Sequence, residues 1–83
     1  MKKEVITIGL TQGLGANSVA MLVQIASQFE SSIYMESGNY HVNAKSIMGM
    51  MSLGYNNGEA LTFTADGPDE EAALAEIRQY LSR

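Results

Sequence analysis

Apolar and polar residues alternate with a period of two from Glu4 to Leu10, where Ile6, Ile8 and Leu10 fall on one side and Val5 and Thr7 on the other. A β-branched run with that period predicts a strand with one buried face. Gly9 and Gly13 bracket a loop, and the period then changes. From Ser18 to Phe29 the apolar positions are Val19, Leu22, Val23, Ala26 and Phe29, the three-and-four spacing that lays one stripe of a helix onto a core. Period two then returns twice, with Ile33 and Met35 set against Tyr34 and Glu36, and Tyr40 and Val42 set against His41 and Asn43. Ser37-Gly38-Asn39 between them supplies turn residues, so the pair predicts a β-hairpin.

Ser46 is of the type that caps a helix N-terminus and Gly54 of the type that ends one, which predicts about two turns of helix between them. Asn56-Asn57-Gly58 marks a tight turn, after which Leu61, Phe63 and Ala65 alternate with Thr62 and Thr64 as a fourth strand. Asp66-Gly67-Pro68-Asp69-Glu70-Glu71 predicts the start of a last helix, with proline near its first position and acids favoured by the helix dipole. The inward stripe of that helix is Leu74, Ile77 and Leu81, with Ala73 and Tyr80 at its edges. The element order is βαββαβα, an α+β arrangement in which three helices cover one face of a four-stranded antiparallel sheet.

Composition narrows the function classes. The 83 residues make one domain, spanning 1–83, and a hydrophobic content of 46% is enough for a core. With no Cys, disulfides, thiolate metal sites and a cysteine nucleophile are excluded. Five basic residues (Lys2, Lys3, Lys45, Arg78, Arg83) against nine acidic ones leave a net charge of −4, which opposes direct binding of nucleic acid. No run approaches the roughly 18 to 20 apolar residues of a membrane span, and Met1-Lys2-Lys3 leads into a strand-like alternation instead of a leader. A cytoplasmic protein without membrane contact is expected.

Little in the chain has the makings of catalysis. Gly13-Leu14-Gly15-Ala16-Asn17-Ser18 has the glycines and helix start of a phosphate-handling loop, but no His, Cys, Lys or Arg to hold or transfer a phosphoryl group. His41, the one histidine, falls on the polar side of the hairpin without a local carboxylate, serine or second histidine to form a dyad. Asp69, Glu70 and Glu71 are explained by the helix they start, and neither zinc-ligand nor calcium-loop spacing is present. No enzyme, metal or cofactor is expected.

The chemistry instead gathers at Asn43-Ala44-Lys45-Ser46-Ile47-Met48-Gly49-Met50-Met51-Ser52-Leu53-Gly54. Phosphorylating Ser46 would add about 1.5 to 2 negative charges at a helix N-terminus, where free amides favour an anion and Lys45 is adjacent. The alternative is that Ser46 is only a cap. A helix this short cannot bury Ile47, Met48, Met50 and Met51 together, and a core role accounts better for Met50 and Leu53 than for the others. Exposed methionines are adaptable docking groups, so Ile47, Met48 and Met51, with Ala20 and Met21 of the first helix, are the expected docking face.

The run from Val42 to Gly54, following a Gly-Leu-x-Ala helix start, resembles HPr, the small phosphocarrier family of the bacterial sugar phosphotransferase system. The similarity extends over essentially the whole chain and implies the same βαββαβα fold. In that family a histidine at the start of the first helix carries the phosphoryl group, an arginine two positions later supports it, and a proline follows. Those positions are Gly15, Asn17 and Ser18 here, so carrier activity does not transfer. The serine matching Ser46 is modified in Gram-positive relatives by an ATP-dependent HPr kinase/phosphorylase, and the product acts as corepressor of a LacI-type catabolite control protein. The chain is most similar to the catabolite-repression HPr-like branch, which lacks the histidine and keeps the serine. That branch retains the arginine that is Asn17 here, and in the family this arginine helps engage the repressor. Its members can exchange the first strand between chains, so a monomer and a strand-exchanged homodimer are both open. The resemblance implies a non-catalytic regulator switched at Ser46. The competing expectation is a constitutive protein-binding module for a metabolic enzyme or regulator, and carrier activity through His41 is a third, disfavoured one.

Overall fold

Four strands, β1 (Lys2–Thr7), β2 (Ser32–Ser37), β3 (Tyr40–Asn43) and β4 (Ala60–Asp66), pair antiparallel in the order β1-β4-β2-β3. Helices α1 (Ala16–Ser27), α2 (Ile47–Met51) and α3 (Glu70–Leu81) complete the βαββαβα order. These coordinates are a computed structural model, which describes residues 1–10, 15–51 and 58–82. The loop expected at Gly13, the end of the short helix at Gly54, Leu53, and Asn56-Asn57 of the following turn lie outside the described residues.

The two periodicities sort side chains as expected. Ile6, Ile33, Met35, Leu61, Phe63 and Ala65 point from the strands into the core, which the helices close with Val19, Leu22 and Ala26 of α1, Met50 of α2, and Leu74, Ile77 and Leu81 of α3. Burying this continuous apolar surface is the main force holding helices on sheet. On the other face, Val5, Thr62, Glu36 and His41 stand in register across all four strands.

Boundaries differ where tertiary pairing outweighs local pattern. The β1 ladder begins at Lys2 opposite Ala65 and ends at Thr7 opposite Ala60, two residues earlier at its start than the alternation indicates. Ile8 leaves the ladder yet stays buried, because its N–H reaches the Glu59 carbonyl at 2.8 Å and its carbonyl receives the Gly58 N–H at 2.8 Å. Gly58 has φ +96°, a conformation that favours glycine. The first helix starts at Ala16, not Ser18, and Phe29 packs on the core from just beyond its end. In α3, Ala73 is fully buried and belongs to the inward stripe itself, while Tyr80 is half-buried.

The acids stand at the start of α3 as expected, Asp69 as its N-cap residue and Glu70 and Glu71 in its first turn, and they also make contacts that this position does not suggest. Asp69, the N-cap residue, makes no side-chain bond to its own helix. Its Oδ2 accepts from the Glu30 N–H at 2.9 Å and its Oδ1 from the Ser31 N–H at 3.0 Å and the Ser31 hydroxyl. The carboxylate therefore ties the α1–β2 connection to the start of α3. Glu70 is the residue that satisfies the local backbone, its Oε1 accepting from the Gly67 N–H at 3.2 Å. Helix dipole alone does not distinguish these roles.

Candidate functional site

The approach to α2 is a hydrogen-bonded turn. Asn43 Oδ1 accepts from the Lys45 N–H at 2.9 Å and the Asn43 carbonyl accepts from the Ser46 N–H at 3.0 Å, a local arrangement that asparagine favours. Ala44, fully buried, anchors this turn by donating its N–H to the Ile33 carbonyl at 2.8 Å. Ser46 is thus delivered to the head of the helix, where its carbonyl accepts from the Met50 N–H at 3.0 Å. The Ser46 hydroxyl oxygen accepts from the Gly49 N–H at 3.4 Å, a long bond that leaves the side chain exposed. At Gly49 an added Cβ would lie 3.6 Å from that oxygen, so the missing side chain leaves its flank open.

Lys45 is adjacent to Ser46 in sequence, but its ammonium is engaged elsewhere. Nζ donates to the Phe29 carbonyl at 2.6 Å, just beyond α1. Because α1 has no basic residue in its last turn, this contact places a cation where the dipole favours one. The expected partnership between Lys45 and an anion on Ser46 is thereby revised: the ammonium already serves the end of α1.

The fold divides the apolar residues of α2. Met50 is 0% exposed, whereas Ile47 is 46% and Met48 84% exposed. On α1, which packs against α2, Met21 is 47% exposed and Ala20 is half-buried. The side chain of Met51 lies outside the described part. Gly15 and Asn17 are both exposed at the start of α1. Gly15 has φ −93° and ψ −170°, ordinary extended backbone, with no atom within 4 Å of where a Cβ would be. A side chain is missing here without any steric reason.

His41 has a neighbour that the sequence reading missed. Hairpin register places Glu36 opposite it, with Oε1 3.9 Å from Nε2, and the Tyr34 ring lies 4.9 Å away centre to centre, tilted by 48°. The alternation assigns faces but not cross-strand partners, so the pair was legible only once the register was known. Among the described residues, no group of three or more His, Cys, Asp or Glu is placed to hold a metal ion. A shallow depression along Gly67–Ala72 is lined by Asp69 and Glu70, whose oxygens are already taken by backbone N–H groups, the Ser31 hydroxyl and the N-terminal amine.

Displaced pKa values gather on the same side. Ser31 and the Glu30 amide hold Asp69 below the ordinary carboxylate range, and the Gly67 amide and the N-terminal amine do the same for Glu70. Glu70 in turn raises the N-terminal amine, 3.1 Å away, and Glu71 raises Lys2 at 3.0 Å. These charges clasp β1 to α3.

A sequence model described as "PTS HPr component phosphorylation site" matches residues 2–83. The chain belongs to the HPr family. It is 40% identical over 81 residues to the HPr-like protein Crh of Bacillus subtilis strain 168, covering 98% of this chain and 95% of that protein. Among solved structures, HPr-C-His from Thermoanaerobacter tengcongensis superposes with a TM-score of 0.90 at 44% identity, covering 98% of this chain and 91% of that one. B. subtilis Crh, described as a domain-swapped dimer, gives a TM-score of 0.75 at 40% identity, with 98% and 93% covered. The chain is a regulatory HPr-family protein, and its fold is that of HPr.

Proposed function

We propose that this protein is a non-catalytic regulator whose switch is Ser46, phosphorylated by an HPr kinase/phosphorylase, and that it acts in carbon catabolite regulation by docking onto other proteins. The observation that carries the reading is the contrast between two helix starts. Ser46 offers an exposed hydroxyl at the head of α2, whereas Gly15 offers no side chain at the head of α1, where the family's carrier histidine would stand. Ala20, Met21, Ile47, Met48 and Met51 form the docking face, and a LacI-type catabolite control protein is the candidate downstream partner. Phosphorylation acts by placing a dianion beside exposed apolar groups, not by refolding the domain.

Other features support the setting. A net charge of −4 argues against nucleic acid as a direct partner, and among the described residues no helix is long and apolar enough to cross a membrane. We place the protein in the cytoplasm. β1 is an edge strand paired with β4 alone, the element that exchange between two chains would move, so sedimentation velocity decides between monomer and exchanged dimer. Incubation with an HPr kinase and ATP, read by intact mass, tests the switch. One added phosphoryl group, absent in Ser46→Ala, is expected; no gain, or a gain that survives the substitution, removes it.

The Gly49–Ser46 hydrogen bond favours a second reading, in which Ser46 is only a helix cap and the face binds a metabolic enzyme or regulator constitutively. Pull-down from a lysate with Ser46→Ala and Ser46→Asp separates the two, since a constitutive partner is indifferent to both.

A further inference from the structure

The chain has six methionines and no cysteine, so no thiol competes for oxidants and the thioethers are its readily oxidised groups. The fold divides them. Met35 on β2 and Met50 on α2 are 0% exposed, while Met48 is 84% and Met21 47% exposed. Met1 is also exposed, but it lies beside Glu70 at the start of α3. Met48 and Met50 make the sharpest contrast: they sit two residues apart on one short helix, one sulfur open to solvent and the other sealed in the core. Met48 is also two residues from Ser46 and precedes Gly49, whose N–H bonds the Ser46 hydroxyl oxygen.

We propose that Met48, with Met21 as a secondary position, is a reversible oxidation site through which peroxides weaken docking at the Ser46 face. The docking half of this proposal rests on the Ser46 reading above. The thioether sulfur attacks one oxygen of a peroxide, the O–O bond breaks, and an S–O bond forms. Sulfur loses two electrons to the peroxide, whose second oxygen leaves and takes up a proton as water or an alcohol. The product is a polar sulfoxide; peptide-methionine-sulfoxide reductases return it to the thioether, two thiols supplying the electrons and protons and becoming a disulfide while the oxygen leaves as water. Because the Met48 side chain is nearly free of packing, its oxidation changes the surface and leaves the fold intact. A flexible apolar contact group becomes one that must be desolvated on binding. The buried pair is protected, since the oxidant cannot reach sulfur without an opening of the domain.

The test uses the full chain and hydrogen peroxide at neutral pH, with the reaction quenched by free methionine and each position followed by fragmentation of tryptic peptides. Met48 is expected to oxidise at least about tenfold faster than Met50, and guanidinium is expected to erase the difference. Equal native rates would overturn the proposal. Reduced and oxidised protein are then given to an HPr kinase with ATP. Oxidation is expected to slow phosphorylation by about tenfold, with reductase treatment restoring the rate and Met48→Leu resisting the loss. An unchanged rate, or an equal loss in oxidised Met48→Leu, overturns the role of Met48 and leaves the Ser46 reading standing. If the reduced protein is not phosphorylated at all, the Ser46 reading fails and the docking half falls with it, while the oxidation order still reports the exposure of Met48.

Discussion

Asp69 holds Ser31 across 38 residues of chain: one carboxylate oxygen accepts both the amide and the hydroxyl of a serine that has no exposed surface. A buried hydroxyl left without a partner is costly, and so is the loss of a charge-assisted bond that fixes two connections at once. Ser31→Ala is expected to lower stability by about 1 to 2 kcal/mol, read as a fall in the urea midpoint with unchanged slope. Asp69→Ala, which strands the hydroxyl and two amides, should destabilise more.

The same contact sets the acid limit of stability. Asp69 and Glu70 are held below their ordinary values of 3.8 and 4.5, so the unfolded chain takes up these protons at higher pH than the folded one. Their contribution is complete above those ordinary values and is lost as pH falls through the lowered folded values. Urea midpoints between about pH 2 and 6 should therefore fall at the acid end, and the fall should be shallower in Ser31→Ala.

At the alkaline end the sign reverses. The N-terminal amine is raised above 8.0, chiefly by its bond to Glu70, so its contribution is complete below that value and is lost as pH rises through the higher folded one. Acetylating the N-terminus should lower the melting temperature at neutral pH. The difference between the two forms should vanish in strongly alkaline buffer.

Two glycines make opposite predictions. At Gly67, with φ +157°, an added Cβ would come within 2.6 Å of Ser31 Cα, so Gly67→Ala forces the α1–β2 connection apart. A loss of about 2 to 4 kcal/mol is expected from overpacking and backbone strain combined. At Gly15 a side chain meets nothing, but the residue is the N-cap of α1, where glycine is preferred to alanine, so Gly15→Ala should cost only about 0.5 to 1 kcal/mol. Parallel denaturation curves of the two variants check both.

The vacant position at Gly15 also admits a gain of function. If carrier chemistry is missing only for want of side chains, Gly15→His with Asn17→Arg should accept a phosphoryl group from the phosphoenolpyruvate-driven donor enzyme. The unaltered protein and a His41→Ala control serve as references, and acid-labile label on the double variant alone is the expected result.

Much of the fold was legible because its signals are local. Period two and the three-and-four spacing place Ile33, Phe63, Leu22 and Ile77 inward without reference to the rest of the chain. Partnerships between elements and across strands were not legible in that way. Asp69 looked like a helix-start acid, Lys45 like a counterion for its neighbour, and His41 like an isolated side chain. Folding gave them Ser31, the Phe29 carbonyl and Glu36 respectively.

By itself, then, the sequence determined the elements and the face each turns inward, because backbone geometry ties those properties to residues only a few positions apart. The tertiary structure alone decided which of two methionines on one short helix meets solvent, and which carboxylate or carbonyl receives a given donor. Those outcomes depend on where sheet and helices come together, and no residue's immediate neighbours carry that information.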